Sequence, residues 1–358
     1  MQYVQNWEKT KARLKAFWDG EIVDRCCIAA FAPKENSKYK RIPFPTDEKE
    51  KIRYWTDGEA VLEREVNHFE NTFFGGDAFP QVFLDLGAAG HAGFIKGSRY
   101  RFENTVWFSP IFDDIEANDV KFDENSFLYQ KTIELAKYYV SMSNGRYFVS
   151  MPDISGNADA LAHLRGSENL LVDMITEKDW VHRSLDRIQD ISLKVHEEIY
   201  NIVKENNEGG SSIGWLNTWA PGKHGQMQCD MSVMISPECF QEFIMPELKM
   251  QTDWMDRSLY HFDGIEQLRH LPALLSIQKL DAIQWTCVEG QPSPLEYIPY
   301  LREIQKAGKK LVIRYNNLAE IEILLEQLSS KGLLIVTRAP SEDEAKRIIK
   351  VAEKLTHE

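Results

Sequence analysis

Apolar and polar positions alternate most regularly in the last quarter of the chain. Short apolar runs near 259–262, 282–286, 310–314 and 333–337 are separated by stretches of helical periodicity near 265–276, 294–307, 318–329 and 341–357. A brief apolar run bounded by turn residues reads as a buried strand, and apolar residues at i, i+3 and i+4 read as one face of a helix. Two of these helices begin with capping boxes, Ser293-Pro294-Leu295-Glu296 and Ser341-Glu342-Asp343-Glu344, and Gly308 and Gly332 sit where helix C-caps belong. Strand–helix units repeated in this way predict a parallel sheet.

The earlier part is less regular. An amphipathic helix covers residues 1 to about 20, with Trp7, Leu14, Phe17 and Trp18 as its apolar positions, and the apolar run 26–31 that follows is closed by Pro33. Helical patterns span about 46–71, 126–144 and 157–206, the last broken near Gly166 and Thr176. Further strand candidates lie at 147–151, 211–216 and 227–230. Residues 73–94 are rich in glycine, which suits either a loop whose backbone approaches a ligand or a tightly packed irregular insertion. About eight strands with helices between them predict an α/β fold, a (β/α)8 TIM barrel, with an open doubly wound sheet as the alternative. No GxGxxG or Walker loop follows a strand, which counts against a nucleotide-binding open sheet. The expected organisation is a helical extension over 1–25 and one barrel domain over 26–358.

Composition narrows the class. Hydrophobic residues make up 43% and charged residues 27% of 358, as in an ordinary globular protein. The net charge of −13 comes from 55 acidic against 42 basic residues, with no dense basic run, so no nucleic-acid partner is expected. No window approaches the ~20 apolar residues of a membrane helix, and the charged N-terminus lacks a signal peptide's apolar core. The cysteines (Cys26, Cys27, Cys229, Cys239 and Cys287) show no CxxC spacing, which argues against a disulfide framework and for a reducing cytoplasm. Cys26 and Cys27, inside an apolar run, read as packing residues.

In a barrel, chemistry is placed at the C-terminal strand ends. These ends carry Asp153, Trp215, Trp219, Asp230, His261, Asp263, Trp285, Cys287, Glu289, Arg314 and Arg338. His261 and Asp263 are two apart and share one face of a strand, so with Cys287 or Glu289 from the next strand they are candidate metal ligands, zinc tolerating such a mixture. The plainer reading of the pair is a hydrogen-bond network or direct substrate contact. Asp153, Asp230 and Asp263 are candidate acid–base groups if apolar surroundings raise their pKa; Asp153 reads equally as a helix cap. Trp215, Trp219 and Trp285 offer aromatic faces for a planar or methylated ligand, against the alternative of core packing. Arg338, and with it Arg314, has the shape to clamp a carboxylate or phosphate, unless paired to Glu289 or Asp263.

Several of these segments occur together in a known family. Asp24-Arg25 before the first strand, Trp219-Ala220-Pro221-Gly222, Met227-Gln228-Cys229-Asp230 followed by Ile235-Ser236-Pro237-Glu238, His261-Phe262-Asp263-Gly264 and Ile283-Gln284-Trp285 resemble the uroporphyrinogen decarboxylase superfamily. That superfamily includes the decarboxylases proper and cobalamin-dependent methyltransferases. The resemblance runs over nearly the whole chain and is nearest to a trimethylamine corrinoid protein-like branch. It implies the TIM barrel, one-carbon or corrinoid-linked chemistry, and homodimers among the possible assemblies. Methyltransferase members bind zinc through a His-x-Cys pair and a later Cys. Here His261 matches the His, Asp263 stands at the Cys position, and no Cys lies near Thr337-Arg338. The decarboxylase's arginine-and-glycine motif is missing after Phe31.

The function these readings imply is methyl transfer involving a small methylated substrate, with a thiol or a separate corrinoid protein as methyl partner. His261, Asp263 and Asp230 would be catalytic, and His261, Asp263, Cys287 and Glu289 would hold zinc. Trp215, Trp219, Trp285, Arg338 and Asp153 would bind substrate. The alternatives are decarboxylation of a tetrapyrrole-like polycarboxylate and a non-catalytic ligand-binding barrel.

Overall fold

The computed structural model describes residues 1–39, 41–115, 119–286 and 290–358. The first helix, α1 (Trp7–Asp19), starts where the Asn6 side chain accepts the Lys9 amide at 3.0 Å, and stops at Gly20, whose φ of 71° is open to glycine at little cost. The apolar run becomes β1 (Cys27–Pro33). The helical pattern over 46–71 is two helices, α2 (Glu48–Thr56) and α3 (Gly58–Asn71), because the Asp57 side chain caps α3 by accepting the Glu59 and Ala60 amides at 3.1 Å each. There follow β2 (Thr72–Gly76), β3 (Gln81–Val82), a hairpin of β4 (Arg99–Phe102) and β5 (Val106–Ser109), α4 (Phe127–Ser143) and β6 (Phe148–Val149). The stretch 157–206 breaks at the expected places into α5 (Asn157–Arg165), α6 (Ser167–Thr176) and α7 (Lys178–Val203). Gly166, at φ 88°, makes the first break.

Three short strands come next, β7 (Gly210–Ile213), β8 (Thr218–Pro221) and β9 (His224–Met227), then a turn, α8 (Pro237–Cys239), and α9 (Met245–Trp254). The regular alternation follows: β10 (Arg257–Asp263), α10 (Leu271–Ser276), β11 (Ala282–Thr286), α11 (Ile298–Lys306), β12 (Lys310–Arg314), α12 (Leu318–Gln327), β13 (Leu333–Arg338) and α13 (Glu342–Leu355). Ser341 caps α13 as its capping box requires, accepting the Glu344 amide at 3.2 Å.

Seven strands form one sheet in the order β2-β1-β13-β12-β11-β10-β9. All its pairs are parallel except β1–β2. The central strands are apolar on both faces, with Leu259, Ile283, Ile313 and Ile335 fully buried, as in sheets covered by helices on the outside. On the remaining arc, among the described residues, ladders give way to a β3–β6 pair and a β7–β8 pair. The breaks are bridged by few bonds: the Met151 amide donates to the Ser212 carbonyl at 2.8 Å, and the Ser211 hydroxyl donates to the His224 carbonyl at 2.9 Å and accepts its amide at 2.6 Å. Asn207 acts there as a side-chain strand partner, accepting the Val149 amide at 3.1 Å and donating to its carbonyl at 2.7 Å. The architecture is therefore α/β with a mostly parallel seven-stranded sheet, and the expected continuous ring of eight strands is interrupted on this arc.

The Asp24-Arg25 motif has a structural role. Asp77, fully buried, receives Arg25 at 2.6 Å, Arg13 at 3.1 Å and the Ile28 amide at 2.9 Å, while Arg13 also reaches Asp24 at 2.6 Å. The network ties α1 to β1 and to the turn after β2. Cys26 and Cys27 are buried packing residues, and burial pushes the Cys26 thiol up to about 11. No helix among the described residues is long and apolar enough to cross a membrane.

Candidate active site

The parallel register explains which side chains meet at the strand ends. His261 lies opposite Gln284, Phe262 opposite Trp285, and Asp263 opposite Thr286. Side chains alternate along a strand, so His261, Asp263, Gln284 and Thr286 share one face. Phe262 and Trp285 take the other face and stack at 5.2 Å, with ring planes 13° apart.

Asp230 follows β9 and opens a short turn whose first amides, those of Asp230 and Met231, both donate to the Asp159 carboxylate at 2.9 Å. This positions Asp230 beside β10. Ligand atoms of Asp230, His261 and Asp263 all lie within 4.8 Å of one another, with His261 Nε2 4.0 Å from the Asp263 carboxylate. The other ring nitrogen, Nδ1, meets the Gln284 carbonyl oxygen in a short hydrogen bond. Gln284 is oriented because its amide donates to the Thr286 hydroxyl at 2.7 Å. With Gln284 at Nδ1, Nε2 is the ring nitrogen that faces the two carboxylates, the atom through which this histidine would bind a metal.

These carboxylates are unevenly solvated. Asp230 is the more exposed of the two, although protein atoms surround its carboxyl. Burial raises its pKa, with His261 pulling it down and Asp263 pushing it further up. Burial and Asp230 together push Asp159 up to about 7, against the two amides that favour its charged form. Asp153 is not a helix cap: α5 starts after Gly156 without a side-chain cap. Burial first, then Asp230 and Asp85, hold the Asp153 carboxyl well above the usual carboxylate range, and one of its oxygens is buried without a hydrogen bond.

A cleft of about 430 Å³ adjoins the triad. Phe31, Phe74, Phe79, Phe83 and Trp215 supply its aromatic wall, and Glu65, His68, Thr286, Arg314 and Arg338 its polar groups. Trp215 joins the two regions. Its ring meets His261 edge-on at 4.9 Å, its indole N–H donates to Gln226, and the Arg314 guanidinium lies 5.3 Å from its centroid. Arg338 lies 5.8 Å from the Phe31 ring, and its backbone N–H donates to the Asn316 side chain at 2.9 Å. Burial pushes Glu65 up to about 7, opposed by Arg64 and reinforced by Asp85. Burial, then Arg338, lowers His68.

Of the sequence-predicted site residues, the structure thus brings Asp230, His261, Asp263 and Trp215 together and puts Arg338 on the adjoining cleft. Two tryptophans expected at the substrate are core residues instead. Trp219 is 1% exposed, packs edge-on against Trp7 at 5.8 Å and donates to the Asn207 carbonyl. Trp285, also 1% exposed, faces away from His261 because its strand parity is opposite. Cys287 and Glu289 lie outside the described residues. Sequence reasoning missed Gln284, Thr286, Glu65 and His68. Gln284 was legible as a polar residue inside an apolar strand, at His261's parity once the register is known. Glu65 and His68, at i and i+3 of one helix, were legible only as a polar stripe.

No protein-family model matches the chain, and no curated protein matches it. Among solved structures, a methyltransferase from Methanosarcina mazei is similar in fold, with a TM-score of 0.62 over 96% of this chain and 98% of that one at 13% sequence identity.

Proposed function

We propose that the chain is a (β/α)8-barrel methyltransferase, with residues 1–25 as a helical extension on a barrel spanning 26–358, and that Asp230, His261 and Asp263 hold a divalent metal, zinc first among candidates. The observation that carries the reading is the convergence of one imidazole and two carboxylates at parallel strand ends beside Trp215. The donor set fits: Nε2 faces two carboxylates, Nδ1 is held by Gln284, and two carboxylate oxygens would balance a dication. That a protein of the same fold is a methyltransferase supports the chemistry.

When bound, the metal would supply Lewis acidity toward a thiol or a methylated donor atom. The chain's own residues supply the rest. Trp215 gives a flat apolar surface on which a methyl-bearing group rests next to His261. Gln284 and Thr286 hold the imidazole in one tautomer. Asp159, by accepting the Asp230 and Met231 amides, holds Asp230 in place beside His261 and Asp263. The donors are nitrogen and oxygen, so the site differs from the thiolate zinc centre that the family resemblance implies. The methyl partner is a small thiol or a separate corrinoid protein, and the compartment is the cytoplasm.

Metal analysis of the purified protein tests this. We expect near-stoichiometric zinc that is lost in His261→Ala, and methyl transfer from methylcobalamin to a thiol that disappears with it. A wild-type protein that stays metal-free after reconstitution with zinc sinks the proposal. A metal-loaded protein that binds methylated ligands without turnover turns it into a binding protein. A second reading, decarboxylation of a polycarboxylate, is favoured by the two arginines in the cleft.

A further inference from the structure

Arg314 and Arg338 are unlike the enclosed arginines of this protein, for both are exposed and line the cleft. Arg13, Arg25 and Arg165 each meet an aspartate at 2.6 Å. Among the described residues, Arg314 and Arg338 have no carboxylate partner, and no hydrogen bond of either guanidinium is found. They sit at the ends of neighbouring parallel strands. Arg314 pairs in register with Val336, so Arg338, two residues on, projects to the same face.

We infer that Arg314 and Arg338 form an anion clamp, and that the substrate is a small organic monoanion, a carboxylate with an apolar body. The clamp is held before any ligand arrives. The guanidiniums lie 5.3 Å from the Trp215 centroid and 5.8 Å from that of Phe31, within reach of the aromatic faces. Asn316 fixes the backbone of Arg338. The two guanidiniums carry like charge at neighbouring strand ends, and an anion bound between them would offset their repulsion. The rest of the cleft selects the body and charge of the ligand. Phe31, Phe74 and Phe79 face it with apolar surface. Glu65 also lines it, and an ionised carboxylate there disfavours a dianionic head such as phosphate. A carboxylate on the arginines, with its body along Trp215, points its far end at Asp230, His261 and Asp263. The inference rests on the proposed methyltransferase reading only for what happens at that far end.

The test is calorimetric titration of the full-length protein with benzoate, its neutral counterpart benzamide, and phenylphosphonate. Benzoate is expected to bind saturably and at least about tenfold more tightly than benzamide, the difference a charge-assisted pair supplies. Arg314→Met and Arg338→Met should each weaken benzoate about tenfold and leave benzamide unchanged. Arg314→Lys and Arg338→Lys, which keep charge but lose the planar fork, should fall between. Equal affinity for benzoate and benzamide, no saturable binding of any of the three, or methionine variants that melt as wild type and bind benzoate as well as it does, each overturns the clamp. Tighter binding of phenylphosphonate than benzoate overturns the carboxylate class. Zinc content, measured on the same samples, separates the two readings: arginine-dependent benzoate binding in a protein that takes up no zinc leaves the clamp standing and the metal site refuted.

Discussion

The protein holds one pair of arginines buried and another exposed on a cleft, and treats them in opposite ways. Arg13 and Arg25 converge on Asp77, which has no exposure and also accepts the Ile28 amide. Arg314 and Arg338 converge on an open cleft and rest on aromatic rings. In the first pair every charge has a counter-charge, so removing one member leaves the rest stranded in a low-dielectric interior. In the second the counter-charge is left to a ligand. An arginine is thus read as structural or ligand-binding from what faces it.

The largest effect that sharpens this contrast is on stability. Asp77→Ala leaves the Arg25 guanidinium buried without an anion, while Arg13 keeps Asp24, and should cost on the order of 3–5 kcal/mol, read as a lower denaturation midpoint. Benzoate affinity of the folded fraction should be unchanged. A loss below about 1 kcal/mol would mean that the buried network contributes little. Next in size is the support of the triad. Gln284→Met keeps the volume but removes the acceptor on His261 Nδ1, and zinc affinity measured against a competing chelator should fall about 10–100-fold. An unchanged affinity would show that His261 is oriented by packing against Trp215 alone.

The smallest effect is pH dependence in the cleft. Glu65 is raised to about 7 by burial, with Arg64 opposing and Asp85 adding to the shift. His68 on the same helix, Tyr54 on α2, Tyr139 on α4, and Arg314 and Arg338 on the cleft are the other charged and titratable groups around it among the described residues. Below about pH 7 the carboxyl is neutral; above it, a negative charge faces the clamp. Benzoate should therefore bind a few-fold more tightly at pH 6 than at pH 8, and Glu65→Gln should flatten the dependence. A wild-type profile with the opposite slope would remove Glu65 from the cleft's electrostatics.

The legibility of the fold followed the locality of its causes. Helix caps at Ser341 and Gly308 and the break at Gly166 depend on a few neighbouring residues, so they could be read directly. The strands of the last quarter are continuous apolar runs and were equally plain. The arc carrying β6 to β8 was less so, because its pairing is carried by Asn207 and by serine hydroxyls, and composition does not distinguish a side chain acting as a ladder partner from a loop. In the site, His261 and Asp263 share a face by parity alone, which needs only the strand. Trp219 and Trp285 were misplaced because position near a strand end does not say which face a side chain takes.

The sequence by itself determined the alternation of strands and helices, the shared face of His261 and Asp263, and the lack of an apolar run as long as a membrane helix needs. Each depends on period, capping or the length of an apolar run, all properties of neighbouring residues. Tertiary structure alone decided that Asp230 joins that pair, that Gln284 sets the imidazole tautomer, that Trp215 faces the cleft while Trp219 and Trp285 turn into the core, and that one arginine pair is neutralised and the other is not. Those outcomes depend on register and on contacts between residues far apart in the chain, and no local pattern encodes which of several possible partners a side chain meets.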